Sequence, residues 1–394
     1  HFLKSTSAFV STEAALGIYD DFSILPAMPY LAEALESSDN NTNAFVLRAV
    51  NANARIGKAR NAARIAKWVC NEKLLDEQRL FALQRLIEWH SPPSLDAVTG
   101  RYRSYPDKRA EFSEVRKAVK PFLHNLLTSS SPKVQAEAMK TSQVFDLSPS
   151  NEILTLLIAQ ESAHENVRIA SIHAMADEQG QIADKNVIDT AINSNSAKLR
   201  VVGIQYLARA EPNELSTVLT FLKSGKLIER QQAVRSLAKI KSTQEISKLV
   251  QKLLEGKLDP GIHLEVTEAA ISLLPDDEKV KSLITKRSNI MDPKSFEDCL
   301  EGGDPKVGEN VFMKNISGQC VRCHKYERRG PGSIIGPNLW KVGQRDPRYL
   351  LESIIAPQAT ITKNFGNISI DLKDGSNISG LFSGEGANGI KLYD

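Results

Sequence analysis

Long apolar runs are missing from this 394-residue chain, and no uninterrupted stretch approaches the length of a membrane span. Cysteine is scarce. Four in the whole chain are too few for a disulfide framework, so an ordinary core has to hold the fold. Net charge is small too. Fifty basic residues against 47 acidic leave +3, and their even spread argues against nucleic acid or an acidic membrane surface as the main partner. Nucleophile elbows, phosphate-binding loops and dinucleotide fingerprints are all absent, so no substrate-converting site can be named. The chain starts at His1 with no signal-peptide pattern, and we expect it to be a piece of something longer. What is present, 41% hydrophobic and 25% charged, fits a globular protein of two or three domains.

Residues 1–290 carry apolar positions at helical spacing, with alanine-rich faces and short polar breaks. A pattern recurs within them. Val167-Arg168-Ile169-Ala170 aligns with Leu199-Arg200-Val201-Val202 and with Glu229-Arg230-Gln231-Gln232, the arginines stepping by 32 and then 30 residues. Weaker copies fall at Val134–Ala138 and Leu264–Ala270, and degenerate ones at Ala44–Gly57 and Asp76–Trp89. Second helices such as Ile153–Ile158 and Leu215–Leu222 lie between copies. Two helices per 30 or so residues predict helical hairpins that must stack to bury their apolar faces. The pattern resembles HEAT repeats, of the shorter bacterial variety. One segment breaks it: His90–Arg103 holds two prolines and a glycine. We expect a solvated loop there, its arginines and tyrosines offering the alternative of contacts to a partner domain.

Composition changes after residue 290. A linker is expected at 291–305, then one helix from Gly308 to His324. From Phe365 the alternation predicts an antiparallel meander, with strands near 367–372, 377–382 and 390–393 and turns at Lys373–Ser376 and Gly384–Gly386. Cys70 and Cys299 read as buried thiols. Asp20-Asp21 and Asp276-Asp277 read as helix caps. His90, His124, His164, His173 and His263 share no metal-ligand spacing.

Cys320-Val321-Arg322-Cys323-His324 is different. It has the Cys-x-x-Cys-His form of covalent haem attachment, in which two thiols add to the porphyrin vinyls and the following imidazole ligates iron. A zinc site would need a fourth ligand, and neither Cys70 nor Cys299 has the spacing. A thioredoxin-like pair would need a preceding strand–helix unit, which is missing. A buried disulfide stays open at this point.

The flanks add a resemblance. Gly308-Glu309-Asn310-Val311-Phe312 and Gly336-Pro337-Asn338-Leu339 are similar to the first helix and the proximal loop of class I cytochromes c. Over a longer stretch, with Tyr349–Pro357, Asp374-Gly375 and Gly380, the chain resembles the Planctomycete/Verrucomicrobium-type haem-binding domain. Members of that group commonly join a β-propeller, helical repeats and this cytochrome, and insert a small sheet in it. The resemblance implies that the Pro337 carbonyl orients the His324 imidazole, Leu339 covers the ring, and Arg345 lies near a propionate. Trp340 either lines the same wall or fills the core.

One departure stands out. No Met or His follows His324, so the distal iron ligand and a closing helix are expected beyond Asp394; Met313, seven residues before Cys320, is read as packing. The expectation is therefore mainly α. A HEAT-like α-solenoid over 1–290 and a linker at 291–305 precede a c-type cytochrome domain over 306–394, with a small inserted antiparallel β meander and an incomplete C-terminus. One covalent haem c is expected on Cys320, Cys323 and His324, with Pro337, Leu339 and Arg345 around it. The implied role is electron transfer within a larger periplasmic or otherwise extracytoplasmic dehydrogenase-like protein, toward a redox partner protein or dehydrogenase domain. The alternative is a repeat scaffold with a sensory or structural haem.

Overall fold

The computed structural model describes all residues except 106–108, 211–213, 316–317, 319, 329–334, 364, 387–388 and 394. The chain is mainly helical and carries one small antiparallel sheet, and it divides into two compact units, His1–Ala210 and Glu211–Asp394. No helix among the described residues is long and apolar enough to cross a membrane.

The first unit opens with α1 (Ala8–Asp20), α2 (Met28–Ser37), α3 (Asn43–Ile56), α4 (Ala59–Val69) and α5 (Asp76–Ile87). It continues through α6 (Phe112–Val119), α7 (Leu123–Leu127), α8 (Pro132–Val144), α9 (Asn151–Ala159), α10 (Glu165–Ala174), α11 (Lys185–Ile192) and α12 (Ala197–Ala210). Polar residues set the starts: Ser131 and Ser150 accept the amide hydrogens of Val134 and Ile153, three residues on. Consecutive helices then pack in pairs, α2 on α3, α9 on α10 and α11 on α12, while α8 packs on α10 and α10 on α12. The recurring arginine has a physical job in this arrangement. Arg168 is buried, and its Nε donates to the carbonyl of Ile158 near the end of the preceding helix, at 2.9 Å. Arg79 does the same to Val69, also at 2.9 Å, and Arg200 donates to Ser194 at 2.6 Å. A guanidinium thus satisfies carbonyls that a helix end would leave orphaned.

The segment expected to be a solvated loop is instead docked. Asp96 is 2% exposed and Arg103 is 5% exposed. Asp96 Oδ2 accepts from the Tyr19 hydroxyl at 2.5 Å and from Asn51 Nδ2 at 3.2 Å, and pairs with Arg55 at 3.4 Å. Its Oδ1 accepts the amides of Val98 and Thr99 at 3.0 and 2.9 Å. Arg103 donates to the Tyr19 carbonyl at 2.8 Å. Burial alone would raise the Asp96 pKa, but the hydrogen bonds from Tyr19 and the two amides and the charge of Arg55 outweigh it and hold the carboxyl below its ordinary range. Asp20, expected to cap a helix, closes an ion pair with Arg48 at 2.6 Å; Asp277 does cap, accepting from Lys279 N at 2.8 Å.

The second unit holds α13 (Leu215–Ser224), α14 (Leu227–Lys239), α15 (Thr243–Leu254), α16 (His263–Leu273), α17 (Glu278–Ser288), α18 (Pro305–Lys314), α19 (Cys320–Cys323) and α20 (Pro347–Ile355). Here α13 pairs with α14, α15 with α16, and α14 with α16. Between α17 and α18 the chain is tied down at several points. Ser295 Oγ lies 2.7 and 2.8 Å from the carbonyl oxygens of Lys286 and Asn289, and Asp298 pairs with Arg287 at 2.5 Å. Gln231 Nε2 donates to the carbonyls of Gly261 and Gly302, both at 2.9 Å. Gly302 has φ +85°, and a Cβ there would run into the Gly261 carbonyl oxygen, so only glycine closes this contact.

The sheet follows α20. Strands β1 (Asn367–Asp371), β2 (Asn377–Gly386) and β3 (Gly389–Tyr393) pair antiparallel in that order, Ser369 facing Ser379. Asp374 Oδ1 accepts from Ser376 N at 2.9 Å to close the first turn, where Gly375 takes φ +86°. The strand β2 runs through the expected Gly384–Gly386 turn, its pairing with β3 interrupted by a bulge between Phe382 and Gly384.

Candidate functional site

The expected single helix from Gly308 to His324 is two pieces. Asn315 ends α18 with extended backbone, and its Oδ1 accepts the Gly318 amide at 2.8 Å. The short helix α19 then carries the motif against α18, and the Phe312 and Tyr326 rings meet edge-on at 5.9 Å between centroids. Tyr326 was not picked out from the sequence; an aromatic two residues after the motif is the signal that could have found it.

Past the motif the chain folds back on itself. The amide of Gly336 donates to the Cys323 carbonyl at 2.7 Å, and that of Leu339 to the Lys325 carbonyl at 2.7 Å. Asn338 Nδ2 donates to the Glu327 carbonyl at 3.2 Å, while its Oδ1 accepts from Trp340 N at 2.8 Å. These bonds set the Pro337 carbonyl 2.8 Å from His324 Nδ1. A carbonyl can only accept, so Nδ1 is the donor, and in the neutral imidazole this places the lone pair on Nε2. No hydrogen bond occupies Nε2 among the described residues. Gly336 makes this geometry possible. A Cβ on it would sit 2.7 Å from His324 Cε1, 2.8 Å from Nδ1 and 3.0 Å from the Cys323 oxygen.

Cys320 is half-buried and Cys323 exposed, and both are free thiols. With Cys323 at the surface, the pair does not form a buried disulfide in this structure. Leu339 and Trp340 follow on the same loop, Trp340 half exposed. Arg345 is exposed, with its guanidinium 5.7 Å from the Tyr349 ring centroid.

Elsewhere the histidines have local structural roles. His164 caps α10, His263 Nε2 lies 3.1 Å from the Leu258 carbonyl, and His90 packs on Phe112 and Phe145. Among the described residues no three His, Cys, Asp or Glu side chains converge as ligands of one ion. Cys70 is partly buried against the core, and burial pushes its thiol up to about 11. Cys299, expected buried, is exposed at the end of the 3₁₀ turn Pro293–Cys299.

Compared with models of protein families and with curated proteins, the chain matches none. The functional reading therefore rests on the site itself. Two thiols on one helical turn and an imidazole held by a carbonyl, with its far nitrogen unengaged, are a donor set that fits covalent haem.

Proposed function

We propose that this chain carries one covalently bound haem c and passes single electrons, supported on helical repeats of the HEAT type. The observation that carries the reading is the 2.8 Å contact between His324 Nδ1 and the Pro337 oxygen, closed over a glycine with no room for a Cβ. A carbonyl that accepts from one imidazole nitrogen fixes the tautomer and raises the basicity of the other nitrogen. Cys320 and Cys323 would hold the group through thioether bonds, and His324 Nε2 would be the proximal iron ligand. Leu339 and Arg345 would cover the ring and face a propionate, Arg345 by turning from Tyr349. The bound group supplies a one-electron iron couple.

In the same reading residues 1–290 form the solenoid, 291–305 lead out of it, and 306–394 form the cytochrome domain. The stacked helix pairs and the repeated arginine contacts of Arg79 and Arg168 support it. A redox partner protein or a dehydrogenase domain would exchange the electrons, outside the cytoplasm, where haem c is attached.

The test is expression of the full chain in cells equipped for haem c maturation, followed by intact mass and a pyridine haemochrome spectrum. We expect the mass of one haem and a c-type spectrum, both lost in the Cys320→Ala/Cys323→Ala double variant. An unmodified mass in such cells would overturn the proposal.

A further inference from the structure

In the first unit α8 packs against both α5 and α10, and residues from all three helices line one cavity of about 470 Å³. That is room for a single small molecule. The floor is apolar. Met139 and Val167 are buried there, and Leu80, Ala136 and Ala170 pack beside them against the core.

The rim is cationic. Glu137 is the one carboxylate among the described residues that line the cavity, and it is already neutralised. Its Oε1 lies 2.6 Å from Lys140 Nζ, and its Oε2 is buried, so little negative charge is offered to a ligand. Lys133, one helical turn before Glu137, is exposed and forms no ion pair or hydrogen bond among the described residues. His164 lines the same cavity at the start of α10. Its Nδ1 accepts the Asn166 amide at 3.2 Å, so in the neutral ring Nε2 carries the proton and can donate. Glu165, the acid beside it in sequence, is occupied by the Ser196 hydroxyl and by Lys198 at 2.9 Å.

We propose that this cavity binds a short-chain aliphatic carboxylate, its tail on the apolar floor and its carboxylate taken by Lys133 and His164. A purely apolar molecule would cover the floor and leave the Lys133 ammonium without a counter-charge. A bare anion would meet that ammonium and leave the floor wet. An anion with a hydrocarbon tail satisfies both at once, and a cationic amphiphile would be repelled. The inference does not depend on the haem, because every residue it uses lies in the first unit.

The test is isothermal titration calorimetry of the full chain with octanoate, compared with hexanoate, octan-1-ol and octylammonium. We expect one saturable octanoate site per chain. Hexanoate, two methylenes shorter, should bind roughly tenfold more weakly. Octan-1-ol and octylammonium should each bind at least about threefold to tenfold more weakly than octanoate. Lys133→Gln should weaken octanoate by that same factor and leave octan-1-ol unchanged. Ala136→Trp fills the floor and should abolish octanoate binding. Circular dichroism establishes that each variant is folded. Lys133 is exposed, so Lys133→Gln decides the matter should the bulkier variant fail to fold. No saturable octanoate site, equal affinity for octan-1-ol, or an unchanged octanoate affinity in Lys133→Gln would each overturn the proposal.

Discussion

Replacing Gly336 by alanine should displace the one imidazole on which the site depends. The new Cβ would meet His324 Cε1 at 2.7 Å and Nδ1 at 2.8 Å. Carbon atoms settle at about 3.5 Å or more, so the ring must retreat by roughly 0.8 Å. The backbone cannot yield instead, because the Gly336 amide is bound to the Cys323 carbonyl at 2.7 Å and that same oxygen lies 3.0 Å from the Cβ. A shift of that size strains or breaks the 2.8 Å bond to Pro337. Overpacking costs about 1–3 kcal/mol and the lost bond about 1 kcal/mol, together about 2–4 kcal/mol. For a unit of this size the melting temperature should drop by roughly 4–16 °C. Scanning calorimetry of the full chain measures it, with Gly318→Ala as control. There the Cβ would meet Asn315 Oδ1 at 3.6 Å and Cys320 Sγ at 3.7 Å, ordinary contact distances, so the change should stay within about 0.5 kcal/mol. Equal stabilities for the two variants, with unchanged histidine ring resonances in Gly336→Ala, would refute the packing argument.

Three further outcomes are expected. Asp96→Ala strands Arg55, Asn51 and Tyr19 around an uncompensated buried position and should cost about 3–5 kcal/mol; a loss under about 1 kcal/mol by urea titration would show the network to be dispensable. Acid should weaken the first unit through depressed carboxyls. Burial would raise Glu72, but bonds from Arg79, Ser130 and Ser129 outweigh it and bring the group down to about 2 from an ordinary 4.5. Its contribution is whole above that ordinary value and disappears as pH falls toward 2, with Asp96 acting in the same direction below 3.8. Thermal melts from pH 6 downward should thus show a slope that Glu72→Gln reduces, and a slope identical in both proteins would count against the assignment. Gln231→Ala leaves the Gly261 and Gly302 carbonyls without their shared donor, and hydrogen exchange at 293–303 should accelerate by roughly tenfold or more; unchanged protection would mean the contact holds nothing in place.

The parts legible in the sequence are the local ones. Helical spacing, the Asp277 cap and the Asp374 turn all act within a few residues, so period and residue type suffice to read them. The contact between His324 and Pro337 spans 13 residues and entered only through the resemblance of the loop, yet the geometry brings those two atoms together. Asp96 shows what local reading misses. Its segment has the prolines and glycine of a surface loop, and its partner Tyr19 lies 77 residues away. Nothing in either neighbourhood advertises that pairing. The break at Asn315 was missed because the apolar spacing continues past it, while a single side-chain oxygen turns the chain.

The contacts of Gln231, Ser295 and Asp298 decide what sort of connection leads from the helix pairs of the second unit toward the motif. A slack connection would let whatever the motif carries sweep a sphere of solution, raising its effective concentration near any neighbour within reach while leaving direction unspecified. A connection pinned every few residues trades that reach for aim. The rotational freedom has already been surrendered during folding, so a visiting molecule loses less entropy on arrival. The segment from Ser295 to Gly302 is thereby already fastened to α14 and α17.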